Sequence, residues 1–216
     1  MNLNNLINSQ AQQPPSQAFA QLASDERLQK TALALQKNGM ETFIVENGLE
    51  AKQKILEFLP EDADVFTSVS KTLEALGIPE IVNESFNSVR VKLAELDPKT
   101  QGRERTILGA APEYMVGSVH AITEGGSVVI ASNTGSQLPG YASGASHVIW
   151  VVGGQKIVSD LDEAIKRIYE YTYPLEDLRA QEAYGINSNV SKLLIVNKEV
   201  IPHRIKVILV KENLGY

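Results

Sequence analysis

Cysteine is absent from this chain. With no thiolate available, the polypeptide cannot supply disulfides, a cysteine nucleophile, a zinc-thiolate site or the ligands of an iron-sulfur cluster. Long apolar runs are missing too. None approaches the roughly 20 residues needed to span a bilayer, and the N-terminal MNLNNLINSQ has neither a basic nor an apolar leader segment. We therefore expect a soluble, cytoplasmic protein with no membrane partner. Basic clusters are short, pairs such as Lys166-Arg167, and the formal net charge is -6. That balance argues against a nucleic-acid partner, because neutralising phosphates requires clustered Lys and Arg. The nucleotide and hydrolase fingerprints are also lacking: there is no G-x-G-x-x-G and no P-loop, and Gly144-Ala145-Ser146-His147-Val148 lacks the closing glycine of G-x-S-x-G. His120, His147 and His203 lie far apart and show no paired metal-ligand spacing. The residues thus call for no metal and no cofactor.

What the chain does have is concentrated between Gly117 and Gly154, GSVHAITEGGSVVIASNTGSQLPGYASGASHVIWVVGG. Three apolar runs alternate there with loops of Gly, Ser, Thr, Asn and Gln, the pattern of buried strands carrying a polar rim. Val119 to Thr123 and Ser127 to Ser132 flank Glu124-Gly125-Gly126 and read as an antiparallel hairpin. His147 to Val152 is nearly continuous in β-branched residues around Trp150, as expected of a strand buried on both faces. Between the second and third runs, Asn133-Thr134-Gly135-Ser136-Gln137 offers hydrogen-bonding side chains beside a glycine that permits close backbone approach.

The chain has 216 residues, 43% of them hydrophobic, enough for one sizeable core. We expect a flexible tail over residues 1–16, rich in Asn, Gln and Pro, and a single domain over 17–216. In order, the patterns predict a helix over 17–37, a strand over 41–45, a helix over 49–59 ended by Pro60, and a strand over 64–68. A helix over 71–76, N-capped by Ser70, follows a Ser-rich turn. Residues 78–83 read as a strand, 86–96 as a helix, and 103–114 stay ambiguous. Beyond the central stretch come a helix from Leu161, with Ser159 and Asp162 as a capping pair, a helix from Pro174 to Gly185, and strands over 192–197 and 204–211. The alternation predicts an α/β fold: a mixed, mostly parallel sheet with helices on both faces.

Candidate site residues follow from this map. A strand leading into Ser68, Val69 and Ser70 and then a helix carrying Lys71 and Thr72 presents free N–H groups to an anion, although ordinary capping is the commoner role of such a turn. Glu124 stands at a strand end beside two glycines, where a carboxylate acts as base, nucleophile or ligand acceptor, or simply faces water. We take it as the candidate catalytic residue. Ser68, Ser70, Lys71, Thr72, Thr123, Gly126, Ser132, Asn133, Thr134, Gly135, Ser136 and Gln137 are the candidate ligand contacts. For His120 and His147, each inside a predicted strand, a hydrogen-bonded structural role outweighs a catalytic one.

The order of these motifs resembles the LUD-domain family, which includes lactate utilisation protein C. The resemblance lies in Ser70-Lys71-Thr72-Leu73-Glu74-Ala75-Leu76-Gly77, in Gly117 through Gly126, in Gly135-Ser136-Gln137-Leu138 and in Gly144-Ala145. It extends to Val152-Gly153-Gly154-Gln155-Lys156-Ile157-Val158, Pro174 through Ala180, and the ending Lys211 through Tyr216. It implies a fold like that of the sugar-phosphate isomerase and CoA-transferase superfamily, and a link in some members to growth on lactate. The lactate-utilisation branch carries A-E-T-G-T where this chain has Thr123-Glu124-Gly125-Gly126-Ser127, which places the chain nearer the stand-alone branch. Two functions follow as expectations. One is a site for a small anionic metabolite, a carboxylate, phosphate or CoA-like ligand, at the rim of the three polar loops. The other is a non-catalytic subunit of a redox or lactate-oxidising assembly, with a redox protein partner.

Overall fold

The computed structural model describes residues 14–216. Most of the expected tail, residues 1–13, lies outside the described residues. The tail's last residue, Ser16, donates its backbone N–H to the Glu170 carbonyl at 2.8 Å, and Gln17–Ala20 form a single 3-10 turn. The predicted helix over 17–37 therefore begins only at Asp25, where Ser24 Oγ accepts from Arg27 N.

The chain then runs through α1 (Asp25–Lys37), β1 (Glu41–Val45), α2 (Gly48–Phe58) and β2 (Asp64–Thr67). Next come α3 (Lys71–Ala75), α4 (Ile78–Ser85), β3 (Asn87–Ser88), α5 (Val89–Glu95), α6 (Gly102–Ala110) and β4 (Tyr114–Gly117). The second half holds β5 (Ala121–Thr123), β6 (Val128–Ser132), β7 (His147–Gly153), β8 (Ile157–Val158), α7 (Leu161–Arg167), α8 (Tyr173–Tyr184), β9 (Lys192–Val196) and β10 (Ile205–Val210). Two π-helical turns, Gly140–Gly144 and Ile168–Thr172, interrupt the second half.

The six strands β1-β10-β7-β4-β2-β3 form a wholly parallel sheet. Its central strands are buried on both faces, and their two-residue alternation divides the core. Val148, Trp150 and Val152 of β7 face one apolar layer together with Leu28, Ala32 and Leu35 of α1. Ile149 and Val151 face the other, against Ala51 and Ile55 of α2, Leu73 of α3 and Val82 of α4. This is why the run reads as continuously apolar in sequence.

The hairpin forms as predicted, with Ala121 opposite Val129, but it belongs to a second sheet, β8-β5-β6-β9. Ile122, Val128 and Ile130 pack toward the large sheet, while Ala121, Val129 and Ala131 pack toward Ala164 and Ile168. The α/β class with a mostly parallel sheet holds, and the antiparallel part sits in this added layer.

Several local expectations differ from the structure. Residues 78–85 are helical, not extended: Gly77 takes a left-handed conformation (φ 65°), Pro79 occupies the first turn where its missing N–H costs nothing, and Ile78 and Val82, one turn apart, share the buried face. The predicted helix over 86–96 starts at Val89, after the two-residue strand β3. The ambiguous stretch divides into α6 and the four-residue β4. The cap of α7 is shifted by one residue, with Asp160 accepting from Glu163 N and Glu163 accepting from Ser159 N.

Candidate functional site

In an open parallel sheet, the loops leaving the carboxyl ends of neighbouring strands enclose a crevice. Here they enclose a cavity of about 360 Å³. Ser68 to Thr72 follow β2, Ser118 to His120 follow β4, Lys156 follows β7, and Tyr216 comes from the segment after β10. The loop after β6, the second π-helical turn and α8 close the remaining sides. Glycine makes two of these approaches possible. A Cβ on Gly117 would lie 1.6 Å from Tyr141 Oη and 2.6 Å from Ser68 Oγ. One on Gly153 would lie 2.7 Å from Leu214 N and 2.8 Å from the Glu212 carbonyl, in the way of the last segment of the chain.

The deepest chemistry belongs to Lys156, which lines the cavity yet is only 1% exposed. Its Nζ lies 3.1 Å from each of Thr72 Oγ1, Ser118 Oγ and the Val119 carbonyl. Thr72 Oγ1 gives its own proton to the Leu214 carbonyl, so toward Lys156 it acts as an acceptor. Burial, and then the neighbouring Arg167, hold the Lys156 amine well below its ordinary range. Arg167 is itself fully buried. Its Nη1 donates to the His120 carbonyl and to Thr172 Oγ1, while Nε and Nη2 have no partner among the described residues. Burial lowers its pKa to about 10. Among the described residues, no carboxylate pairs with either cation.

His120 completes the floor. Its Nδ1 accepts the Ala131 N–H at 3.0 Å, so the neutral ring carries its proton on Nε2. Burial, followed by Lys156 and Arg167, pushes its pKa down to about 3. The structural role expected of this histidine agrees with that bond, although the ring also lines the cavity.

Among the described residues, the walls add two charge pairs and one cation, Arg90, without a carboxylate partner. Glu176 accepts from Arg179 at 2.6 and 2.8 Å and from Tyr216 Oη at 2.6 Å. Burial opposes ionisation of this carboxyl, but those donors hold its pKa below the usual value. Burial and the bond to Glu176 push the Tyr216 phenol up. Lys71 and Glu74 form a second pair at 2.6 Å. Arg90 donates Nε to the Thr67 carbonyl at 2.6 Å and to Thr67 Oγ1 at 3.2 Å, and its guanidinium lies over the Phe66 ring.

Of the predicted ligand contacts, Ser68, Ser70, Lys71 and Thr72 line the cavity, as do Ser132, Asn133, Thr134, Ser136 and Gln137. Ser70 also caps the five-residue α3 through Leu73 N. Gly135 lies outside the lining, where its N–H donates to Ser132 Oγ and its positive φ shapes the loop. Thr123, Glu124 and Gly126 lie away from the cavity. Thr123 Oγ1 accepts from Ser127 N inside the hairpin turn, and the Gly126 carbonyl accepts from Asn38 Nδ2 at the end of α1. Glu124 is ion-paired with Arg27 at 2.8 Å and Lys30 at 2.6 Å on α1. The shared pocket expected for Glu124 is thus replaced by a turn docked on α1, because β5 and β6 belong to the second sheet.

Lys156, Arg90, Arg167, Ser118 and Tyr141 were not among the candidates from sequence. For Lys156 a signal exists: a lone basic residue interrupts Val151-Val152-Gly153-Gly154-Gln155-Lys156-Ile157-Val158, where both flanks are buried. Among the described residues there is no cluster of three or more His, Asp or Glu able to hold a metal, and no helix long and apolar enough to cross a membrane.

Comparison with known proteins agrees with this architecture. A crystal structure of a DUF162 family protein from Deinococcus radiodurans superposes with a TM-score of 0.55 at 14% sequence identity, covering 88% of this chain and 99% of the other. A search of curated proteins found no match. The model of the LUD domain matches residues 28–210, nearly the whole described chain. This chain belongs to the LUD domain family.

Proposed function

We propose that this protein binds a small anionic metabolite, a carboxylate, phosphate or CoA-like molecule, in the cavity at the carboxyl ends of β2, β4, β7 and β10. One observation carries this reading: Lys156 lines the cavity, is almost wholly removed from water and has no carboxylate partner among the described residues. A buried amine without a counter-charge is costly to keep. An acid entering the cavity supplies that charge beside an amine held in place by Thr72, Ser118 and the Val119 carbonyl. Membership of the LUD domain family makes lactate one of the acids to test.

The test is thermal unfolding of the chain with lactate, pyruvate, inorganic phosphate, a sugar phosphate and CoA, each beside a Lys156→Met variant. A ligand that binds only the native state at 100 times its Kd stabilises by about 2.7 kcal/mol. We expect at least one acid to raise the midpoint of the wild type and to leave Lys156→Met unmoved. Methionine has similar volume and needs no counter-charge, so the variant should fold. Equal shifts in both proteins would remove Lys156 from the site. A screen in which no acid stabilises the chain, together with copurification of a redox protein, would instead support a non-catalytic subunit of a redox or lactate-oxidising assembly.

A further inference from the structure

We infer that the ligand of this cavity carries two acidic groups, one seated at Lys156 and the other at Arg90. This ligand class presupposes the anion-binding reading above. Among the described residues, four Lys or Arg side chains line the cavity, Lys71, Arg90, Lys156 and Arg179, and two carboxylates, Glu74 and Glu176. Both carboxylates are already matched: Glu74 by Lys71 and Glu176 by Arg179, each at 2.6 Å. Lys156 and Arg90 remain, and neither pairs with a carboxylate among the described residues.

The two cations are held on different walls. Lys156 leaves the end of β7 and is tied to Thr72, Ser118 and Val119. Arg90 is the second residue of α5 and is tied by Nε to Thr67, the last residue of β2. Its face rests on Phe66, with Cζ 5.4 Å from the ring centroid. Nη1 and Nη2 have no protein partner among the described residues. A guanidinium anchored through Nε, with both terminal nitrogens available, presents a preformed fork to a carboxylate or phosphate. Burial lowers the Arg90 pKa, the direction produced when a cation loses water without gaining an anion.

A monoacid such as lactate satisfies one of these cations and leaves the other unmatched. A diacid satisfies both, because one end meets the charge of Lys156 and the other the fork of Arg90. Dicarboxylates and phosphorylated carboxylic acids share this chemistry, and the two are separated by the choice of probe.

The experiment is calorimetric titration of the whole chain at low salt and pH 7. Malonate, succinate, glutarate and adipate are compared with acetate through butyrate, and 3-phosphoglycerate with glycerate. We expect at least one diacid or phosphorylated acid to bind tenfold or more tightly than its matched monoacid. Whichever series shows the preference identifies the second group as carboxylate or phosphate. In Arg90→Gln the preference should vanish while monoacid binding at Lys156 persists; in Lys156→Met both should fall. Arg90→Lys, which keeps the charge and loses the fork, should retain part of the preference and guards against misfolding of the glutamine variant.

Equal affinities for monoacids and diacids would overturn the two-ended ligand and leave anion binding standing. A preference that survives in a folded Arg90→Gln would remove Arg90 from the site. Failure of every probe to bind would overturn the two-ended ligand, and a thermal screen in which no acid stabilises the chain would overturn the anion-binding reading as well.

Discussion

Replacing His120 by asparagine should remove part of the protein's sensitivity to acid. An asparagine Oδ1 can take the place of the histidine Nδ1 as acceptor for the Ala131 N–H, but asparagine does not titrate. In the unfolded chain a histidine binds a proton below about pH 6.5. In the native protein, burial and the adjacent Lys156 and Arg167 delay that protonation to about pH 3. Between these values the unfolded state holds the extra proton, so stability must fall as the pH falls. Each unit of pH corresponds to about 1.4 kcal/mol for one proton. Allowing for the half-titrated unfolded histidine at pH 6.5, lowering the pH to 4.5 costs the native state about 2 kcal/mol through His120 alone. Carboxylates held below their usual range, such as Glu41 and Glu199, lose their contribution as the pH falls toward their native pKa, and they do so equally in both proteins. Urea unfolding at pH 6.5, 5.5 and 4.5 isolates the difference. The wild type should lose about 2 kcal/mol more than His120→Asn across that range, and parallel curves would refute the assignment of His120 as a neutral ring in the native protein.

Gly117→Ala should lower the urea midpoint by an amount equivalent to at least about 2 kcal/mol, because the new methyl must displace the buried Tyr141 hydroxyl and break its 3.0 Å bond to Ser68; an unchanged midpoint would show that the backbone moves aside freely. Glu124→Gln should cost less than about 1 kcal/mol, since its ion pairs with Arg27 and Lys30 stand at the surface, and should leave every acid-induced shift in thermal midpoint intact. Loss of the ligand response to the degree seen in Lys156→Met would return Glu124 to the site.

Local chemistry in the sequence determined much of this protein. The β-branched run of β7, the two-glycine hairpin turn, Ser70 as a helix cap and Gly185 as a left-handed helix stop (φ 67°) are each fixed by neighbours within a few residues. The polar loops over 68–72 and 132–137 were legible as rims for the same reason, and both border the cavity. The second sheet was not legible, because a hairpin's turn chemistry is the same whichever layer receives it, and that choice decided whether Glu124 met a ligand or α1. Residues 78–83 read as a strand because a short apolar run does not declare its period, and Gly77 and Pro79 settle the stretch as a helix. Lys156 illustrates the limit most directly. Its amine is held by Thr72 and Ser118, 84 and 38 residues away in sequence, and its neighbour Arg167 comes from α7. Whether a charge is solvated, paired or left without a counter-ion depends on what the fold brings around it, and only the tertiary structure decides that.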